Sequence, residues 1–220
     1  MVERRAAGFP LEHVLGWAEF CGLRIAVGPG VFVPRRRTEF LAQHAVALTR
    51  KAVLSLERDV VVVDLCCGSG AVSAAVLAAL DRVELHAADI DPAAVRCARR
   101  NIGAPVYEGD LYEPVPATLR GRVDVLIANA PYVPTDAIEL LPPEARDHEP
   151  RVALDGGADG LDVLRRVTAE APRWLASGGH LLVETSAAQA PLALAVFARD
   201  GLTARVVRRD DATVVIGRRP

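Results

Sequence analysis

The sequence predicts an α/β fold: a doubly wound, mostly parallel sheet with helices on both faces, ending in an antiparallel hairpin. Three observations carry this. The runs at 60–65 and 123–128 are apolar at nearly every position, as strands covered on both faces must be. Helical patterns alternate with strand patterns through the middle of the chain, which is the order of βαβ units. Finally, two β-rich runs at 203–208 and 212–217 are separated only by Arg209-Asp210-Asp211, too short a link for anything but an antiparallel return.

In chain order, residues 1–37 read as an N-terminal lead-in, with two short apolar pieces in 26–33 around Gly28-Pro29-Gly30 as a β-hairpin signal. Residues 38–220 form the main domain. Thr38 is placed to cap a helical pattern running to about Leu56. A strand at 60–65, a helix from about Ala71, a strand at 83–88, a helix over Pro92–Asn101 and a short strand near Val106 follow. Asp91-Pro92 has the form of an N-cap followed by proline at the first helical position. After the strand at 123–128 comes a polar stretch containing Pro131, Pro134, Pro142, Pro143 and Pro150, too rich in proline for continuous helix, and loops of that length at a strand end usually line a site. A helix at 161–175, a turn at Ser177-Gly178-Gly179, a strand at 180–184 and a helix at 191–200 lead into the final hairpin.

With 220 residues, 51% hydrophobic and 25% charged, the chain can bury a core and is not compositionally disordered. Its formal net charge of −2 disfavours a nucleic-acid partner without excluding one, since Arg35-Arg36-Arg37 and Arg208-Arg209 make local basic patches. Four cysteines, at 21, 66, 67 and 97, include no C-x-x-C pair and have no histidine at ligand spacing, so neither a metal site nor a disulfide framework is indicated. No leader-like apolar segment follows Met1 and no window resembles a membrane span, from which a cytoplasmic location is expected.

Two motifs carry chemistry. The first strand ends in Asp64-Leu65-Cys66-Cys67-Gly68-Ser69-Gly70 before a helix, and glycine there lets backbone approach a ligand closely. Asp89, 21 residues beyond Gly68, ends the next strand at the spacing from which a carboxylate reaches ribose hydroxyls. Asp91 competes for that role, but its capping context favours structure. The loop lacks both the G-x-G-x-x-G fingerprint and a phosphate-binding lysine, so a nucleoside without phosphates fits better than a dinucleotide or an NTP. The second motif is Asn129-Ala130-Pro131-Tyr132. The Asn129 side-chain carbonyl and the Ala130 backbone carbonyl can accept hydrogen bonds from an NH₂ group, Pro131 stiffens the turn, and Tyr132 offers a flat face to a planar amide or base. An amide nitrogen is a poor nucleophile because its lone pair is delocalised, and orientation toward an activated methyl is the help such a site can give.

Together these segments resemble the protein N5-glutamine methyltransferases, which methylate the glutamine of the GGQ motif in peptide-chain release factors. The likeness extends to Pro34-Arg35-Arg36-Arg37-Thr38-Glu39 (family P-R-P-x-T-E), to Glu144-Ala145-Arg146-Asp147-His148-Glu149-Pro150 with Ala153-Leu154 (E-V-R-x-x-E-P…A-L), and to residues 11–20 with Gly16 and Phe20. N-P-P-Y alone is shared with adenine- and guanine-N-methyltransferases. The resemblance implies a class I, Rossmann-like, S-adenosylmethionine-dependent methyltransferase that releases S-adenosylhomocysteine. It implies cofactor contacts at Asp64, Cys66, Cys67, Gly68, Ser69, Gly70, Asp89, Ile90, Asp110, Leu111 and Asn129. It also implies that Asn129 and Tyr132 act in catalysis, and that Asn129, Ala130, Pro131 and Tyr132 bind the acceptor; Arg35 is a candidate contact to acceptor or cofactor, or else pairs with the acidic surface of its own domain.

Ala130 stands where the family has its first proline, a tolerable change at a position that contributes backbone. Cys66 and Cys67 stand where the family has glycine and a small polar residue, so the loop must bend without its first glycine. The family's N-terminal helical recognition domain is not represented; the first 20 residues are expected to form at most one helix, too little for a standard interface of about 800 Å² per partner. Weak methylation of an isolated release factor is therefore expected, with an acceptor that is smaller or docks along 131–150. An N-methyltransferase for a nucleobase amine or small-molecule nitrogen, and a non-catalytic cofactor-binding subunit, stand as alternatives. His148 could serve as a base, although an amide needs none before attack, and Trp17 and Phe20 read as packing.

Overall fold

The computed structural model describes residues 1–220. Two five-residue helices, α1 (Val2–Ala6) and α2 (Leu11–Leu15), precede a hairpin of β1 (Trp17–Phe20) and β2 (Leu23–Ala26). Next come α3 (Glu39–Ser55), β3 (Val60–Leu65), α4 (Ala71–Ala79), β4 (Val83–Asp89), α5 (Pro92–Asn101), β5 (Val106–Glu108) and β6 (Val123–Ala128). The remainder comprises α6 (Pro143–Arg146), α7 (Asp162–Trp174), β7 (Leu175–Thr185), α8 (Ala190–Arg199), β8 (Thr203–Arg209) and β9 (Ala212–Arg218).

The main sheet has seven strands in the order β5-β4-β3-β6-β7-β9-β8. Its first five are parallel, β9 runs antiparallel to β7, and β8 pairs antiparallel with β9. Successive residues of β3 feed opposite layers: Val60 and Val62 pack with α3, α4 and α5, while Val61, Val63 and Leu65 pack with α7 and α8. The continuous apolar runs thus have their expected physical cause. Each fully buried aliphatic side chain in them, such as Leu126 or Ile127, contributes about 1.5–3 kcal/mol of transfer free energy. From β3 the chain winds outward first through β4 and β5 and then, on the other side, through β6 and β7. The carboxyl ends of β3, β4 and β6 therefore meet at the reversal, where open α/β sheets bind ligands.

Several local expectations are corrected. The lead-in hairpin turns at Cys21-Gly22, with φ of 52° and 75°, and not at Gly28-Pro29-Gly30. Two successive left-handed residues match the twist of paired strands. Val33, beyond the glycines, gives its amide to Glu149 Oε1 in place of a strand partner. The first 20 residues hold two short helices and a strand, more than the single helix expected. Thr38 makes no capping hydrogen bond; it closes a 3-10 turn, and its buried hydroxyl has no partner. Ser177-Gly178-Gly179 is no strand-breaking turn but a bulge within β7, where pairing with β6 jumps from Val123–Leu175 to Val125–His180. The proline-rich stretch is punctuated by short helical turns, each starting after a proline: Thr135–Leu140 after Pro134, α6 after Pro142, and Arg151–Ala153 after Pro150. No helix is long and apolar enough to cross a membrane.

Candidate active site

The loop from β3 to α4 alternates hands: Cys66 (φ 55°), Gly68 (φ 56°) and Gly70 (φ 77°) are all left-handed. Cys66 therefore takes the bend that glycine would make, at the steric cost of a Cβ in that region. At Gly70 glycine is required twice over, because a Cβ there would also press within 3.2 Å of Ala98 on α5. The two adjacent thiols face opposite layers, Cys67 with the α3–α5 side and Cys66 with the α7–α8 side, so they do not act as a pair. Burial pushes both thiols up, with the charges of Asp89 and Asp64 adding to the effect, which keeps them protonated and poor nucleophiles.

Asp89 ends β4 with both oxygens anchored: Gly68 N–H donates to Oδ2 at 2.8 Å and Asp91 N–H to Oδ1 at 2.9 Å. Burial raises its pKa and these two amides pull it back. Each oxygen keeps a lone pair for an incoming hydroxyl. Asp91 caps α5 through Ala93 N–H at 2.7 Å. Asp110, after β5, pairs with Arg166 of α7 at 2.6 Å, beside the left-handed Leu111 (φ 48°).

One cavity of about 440 Å³ joins these groups, within the range of small-molecule sites. Cys66, Cys67, Gly68, Ser69, Asp89, Ile90, Asp110 and Leu111 line one part of it. Asn129, Ala130, Pro131, Tyr132 and Arg35 line another. Asp64 and Gly70 do not reach the wall. Asp64 is a buried brace whose Oδ2 accepts from Ser73 at 2.6 Å, and burial pushes its carboxyl up to about 7. Arg35 is committed to buried Glu149 at 2.5 Å and stacks on Phe32, which makes it a wall element rather than a free cation. His148 lies outside the cavity, stacked on Phe9 with ring centroids 4.3 Å apart.

Several residues escaped the sequence reading. Asn101 Nδ2 donates to the carbonyls of Ser69 and Ala26, tying the loop to the lead-in hairpin. Gln189 Nε2 donates to the Tyr132 carbonyl at 2.8 Å, while Arg37 and Glu184 hold the Tyr132 hydroxyl. Gly156 backs the motif so closely that a Cβ would lie 2.7 Å from the Pro131 carbonyl oxygen. Only Glu184, a carboxylate inside an apolar strand, left a sequence signal.

Residues 24–141 match the methyltransferase small domain family. A release factor glutamine methyltransferase of Geobacter sulfurreducens is 39% identical over 206 residues, 91% of this chain and 69% of that protein. The chain belongs to the release factor glutamine methyltransferase family. Another relative, a 4-amino-L-phenylalanine/4-methylamino-L-phenylalanine methyltransferase of Streptomyces pristinaespiralis, is 35% identical over 91% of the chain and 69% of its own length. Among solved structures, a Pyrococcus furiosus methyltransferase superposes with a TM-score of 0.65 at 16% identity, covering 98% of both chains. A Thermus thermophilus 16S rRNA methyltransferase in complex with AdoMet and guanosine gives 0.55 at 20% identity, covering 90% of this chain and 43% of the other. At those identities the structural likeness speaks for the class I methyltransferase fold. In this member of the glutamine methyltransferase family, one cavity brings together a glycine-bent loop, an anchored strand-end carboxylate and the Asn129–Tyr132 turn.

Proposed function

We propose that this enzyme methylates the side-chain amide nitrogen of a protein glutamine, with S-adenosylmethionine as donor. The supporting observation is that the Asn129–Tyr132 turn and the Gly68–Asp89 anchor open onto one cavity, in a chain 39% identical to a release factor glutamine methyltransferase. The donor fits what is present: the Asp89 oxygens can accept two ribose hydroxyls, Ile90 and Leu111 offer apolar faces, and the loop presents no phosphate-binding lysine.

S-adenosylmethionine supplies, when bound, a methyl group activated by the sulfonium, whose carbon–sulfur bonding pair remains on sulfur after transfer. The chain's own residues act on the acceptor. Asn129, through its side-chain carbonyl, and Ala130, through its backbone carbonyl, accept the two amide N–H groups and turn the nitrogen lone pair toward the methyl carbon. As the nitrogen–carbon bond forms, the nitrogen becomes positive, and these carbonyl dipoles stabilise that charge. The methylated nitrogen then releases one proton to water. No strong base is needed, in keeping with the place of His148 outside the cavity wall, stacked on Phe9.

A second reading, an aromatic amine as acceptor, is favoured by the aminophenylalanine-methylating relative and by the apolar wall of Phe32, Pro34 and Leu141. Tritiated methyl transfer distinguishes the two, with a release factor carrying its GGQ glutamine in one reaction and 4-amino-L-phenylalanine in the other. Label recovered as N5-methylglutamine supports the first reading; label on the aromatic amine alone overturns it.

A further inference from the structure

Tyr132 is held by two charged side chains from opposite ends of the chain. Its hydroxyl donates to Oε1 of Glu184 at 3.1 Å, and accepts from Arg37 Nη2 at 2.8 Å and Nε at 3.2 Å. Arg37 sits in the 3-10 turn that opens α3, and Glu184 near the carboxyl end of β7. The two also pair directly, Nε to Oε1 at 3.3 Å. Glu184 is only 2% exposed and its second oxygen has no partner, whereas Arg37 lines the cavity with 37% of its side chain exposed.

We propose that Arg37 and Glu184 are positioning residues that fix the plane of the Tyr132 ring as the platform for the acceptor, and that the Tyr132 hydroxyl takes no part in proton transfer. This rests on the methyl-transfer reading above. A phenol has one proton to give, and here it goes to Glu184, while both donors of Arg37 aimed at the oxygen occupy its accepting side. The hydroxyl is thereby fully engaged in holding the ring. Burial, with the Glu184 charge, pushes the phenol up to about 12, so it stays protonated throughout the working range. With the Tyr132 carbonyl pinned by Gln189, the ring is fastened at both its root and its tip, and only its face is left for an acceptor.

The pair is electrostatically unequal. Removing Arg37 alone strands a buried carboxylate, while removing the charge of Glu184 leaves a guanidinium that can turn to solvent. Glu184→Gln and the double variant Arg37→Met with Glu184→Gln are therefore the informative changes, because neither leaves an unpaired buried charge. Both are expected to raise the acceptor's KM about ten-fold, as loss of a contact made equally in the ground state and the transition state does, with kcat and the Kd for S-adenosylhomocysteine each changed less than about three-fold. An unchanged KM, or a loss of cofactor affinity in proportion to the loss of activity, overturns the proposal in favour of a merely structural role. A second measurement needs no acceptor. In protein labelled with 3-fluorotyrosine, the ¹⁹F resonance that disappears in Tyr132→Phe should move in Glu184→Gln while those of Tyr107 and Tyr112 stay in place. A Tyr132 resonance identical to the parent's overturns the proposal even if the acceptor itself has been misassigned.

Discussion

Gly68 donates its amide proton to Oδ2 of Asp89 at 2.8 Å, so the cofactor loop and the end of the neighbouring strand are fastened to each other directly. A carboxylate so anchored is preorganised for a diol. Asp89→Ala should weaken S-adenosylhomocysteine binding by about 10- to 150-fold, the equivalent of roughly 1.5–3 kcal/mol for lost hydrogen bonds to a charged group. Asp91→Ala should instead cost about 1 kcal/mol of stability through its lost cap and leave affinity nearly unchanged. Calorimetry on the two variants checks the assignment, which fails if their effects are exchanged.

Cys66 occupies the left-handed region at φ 55°. Glycine there should remove roughly 1–2 kcal/mol of steric cost and give back about 0.5–1 kcal/mol in unfolded-chain entropy. The net gain of roughly 0–1.5 kcal/mol means that Cys66→Gly is expected to raise the melting temperature by up to about 6 °C, and the β-branched Cys66→Val to lower it. A thermal scan in which glycine destabilises would mean that the packing of the thiol outweighs the backbone cost.

Asn129 is the side-chain acceptor nearest the reacting nitrogen in the proposed geometry. Asn129→Ala should lower turnover by about 100-fold or more while cofactor affinity stays within a few-fold. Unchanged turnover on a true acceptor, measured by methyl transfer, would reduce the motif to a turn.

Burial raises the Asp64 carboxyl to about 7 from its ordinary 3.8. The fold therefore favours its protonated form. The stability this group contributes is complete below about pH 4 and declines as pH rises to about 7, at about 1.4 kcal/mol per unit. Asp64→Asn, which keeps an acceptor for Ser73, should match the parent near pH 4 and exceed its stability at pH 8. Urea denaturation at the two values checks this; a parallel pH dependence in both proteins would place the slope elsewhere, in Asp89 or Glu149.

Much of the molecule was legible in one dimension. The boundaries of β3, α5 and β6 follow from apolar runs and from the Asp91-Pro92 start signal, since burial on both faces and capping are local demands. The Gly68-to-Asp89 interval was readable because one βαβ unit has a narrow range of lengths. The lead-in hairpin was misplaced because glycine marks a turn at both Cys21-Gly22 and Gly28-Pro29-Gly30, and only packing chooses between them. Ser177-Gly178-Gly179 misled for a related reason: a bulge and a turn use the same residues.

By itself the sequence determined the fold class, the order of strands and helices, and the two motifs that face the cavity, because periodicity, glycine and spacing act over short stretches of chain. Tertiary structure decided what those residues touch. It withdrew Asp64 and Gly70 from the cavity wall and tied Arg35 to Glu149. It also brought Arg37, Glu184 and Gln189 around Tyr132 across separations of 95, 52 and 57 residues. Hydrogen bonds across such distances depend on how the layers close over the sheet, and no local pattern encodes them.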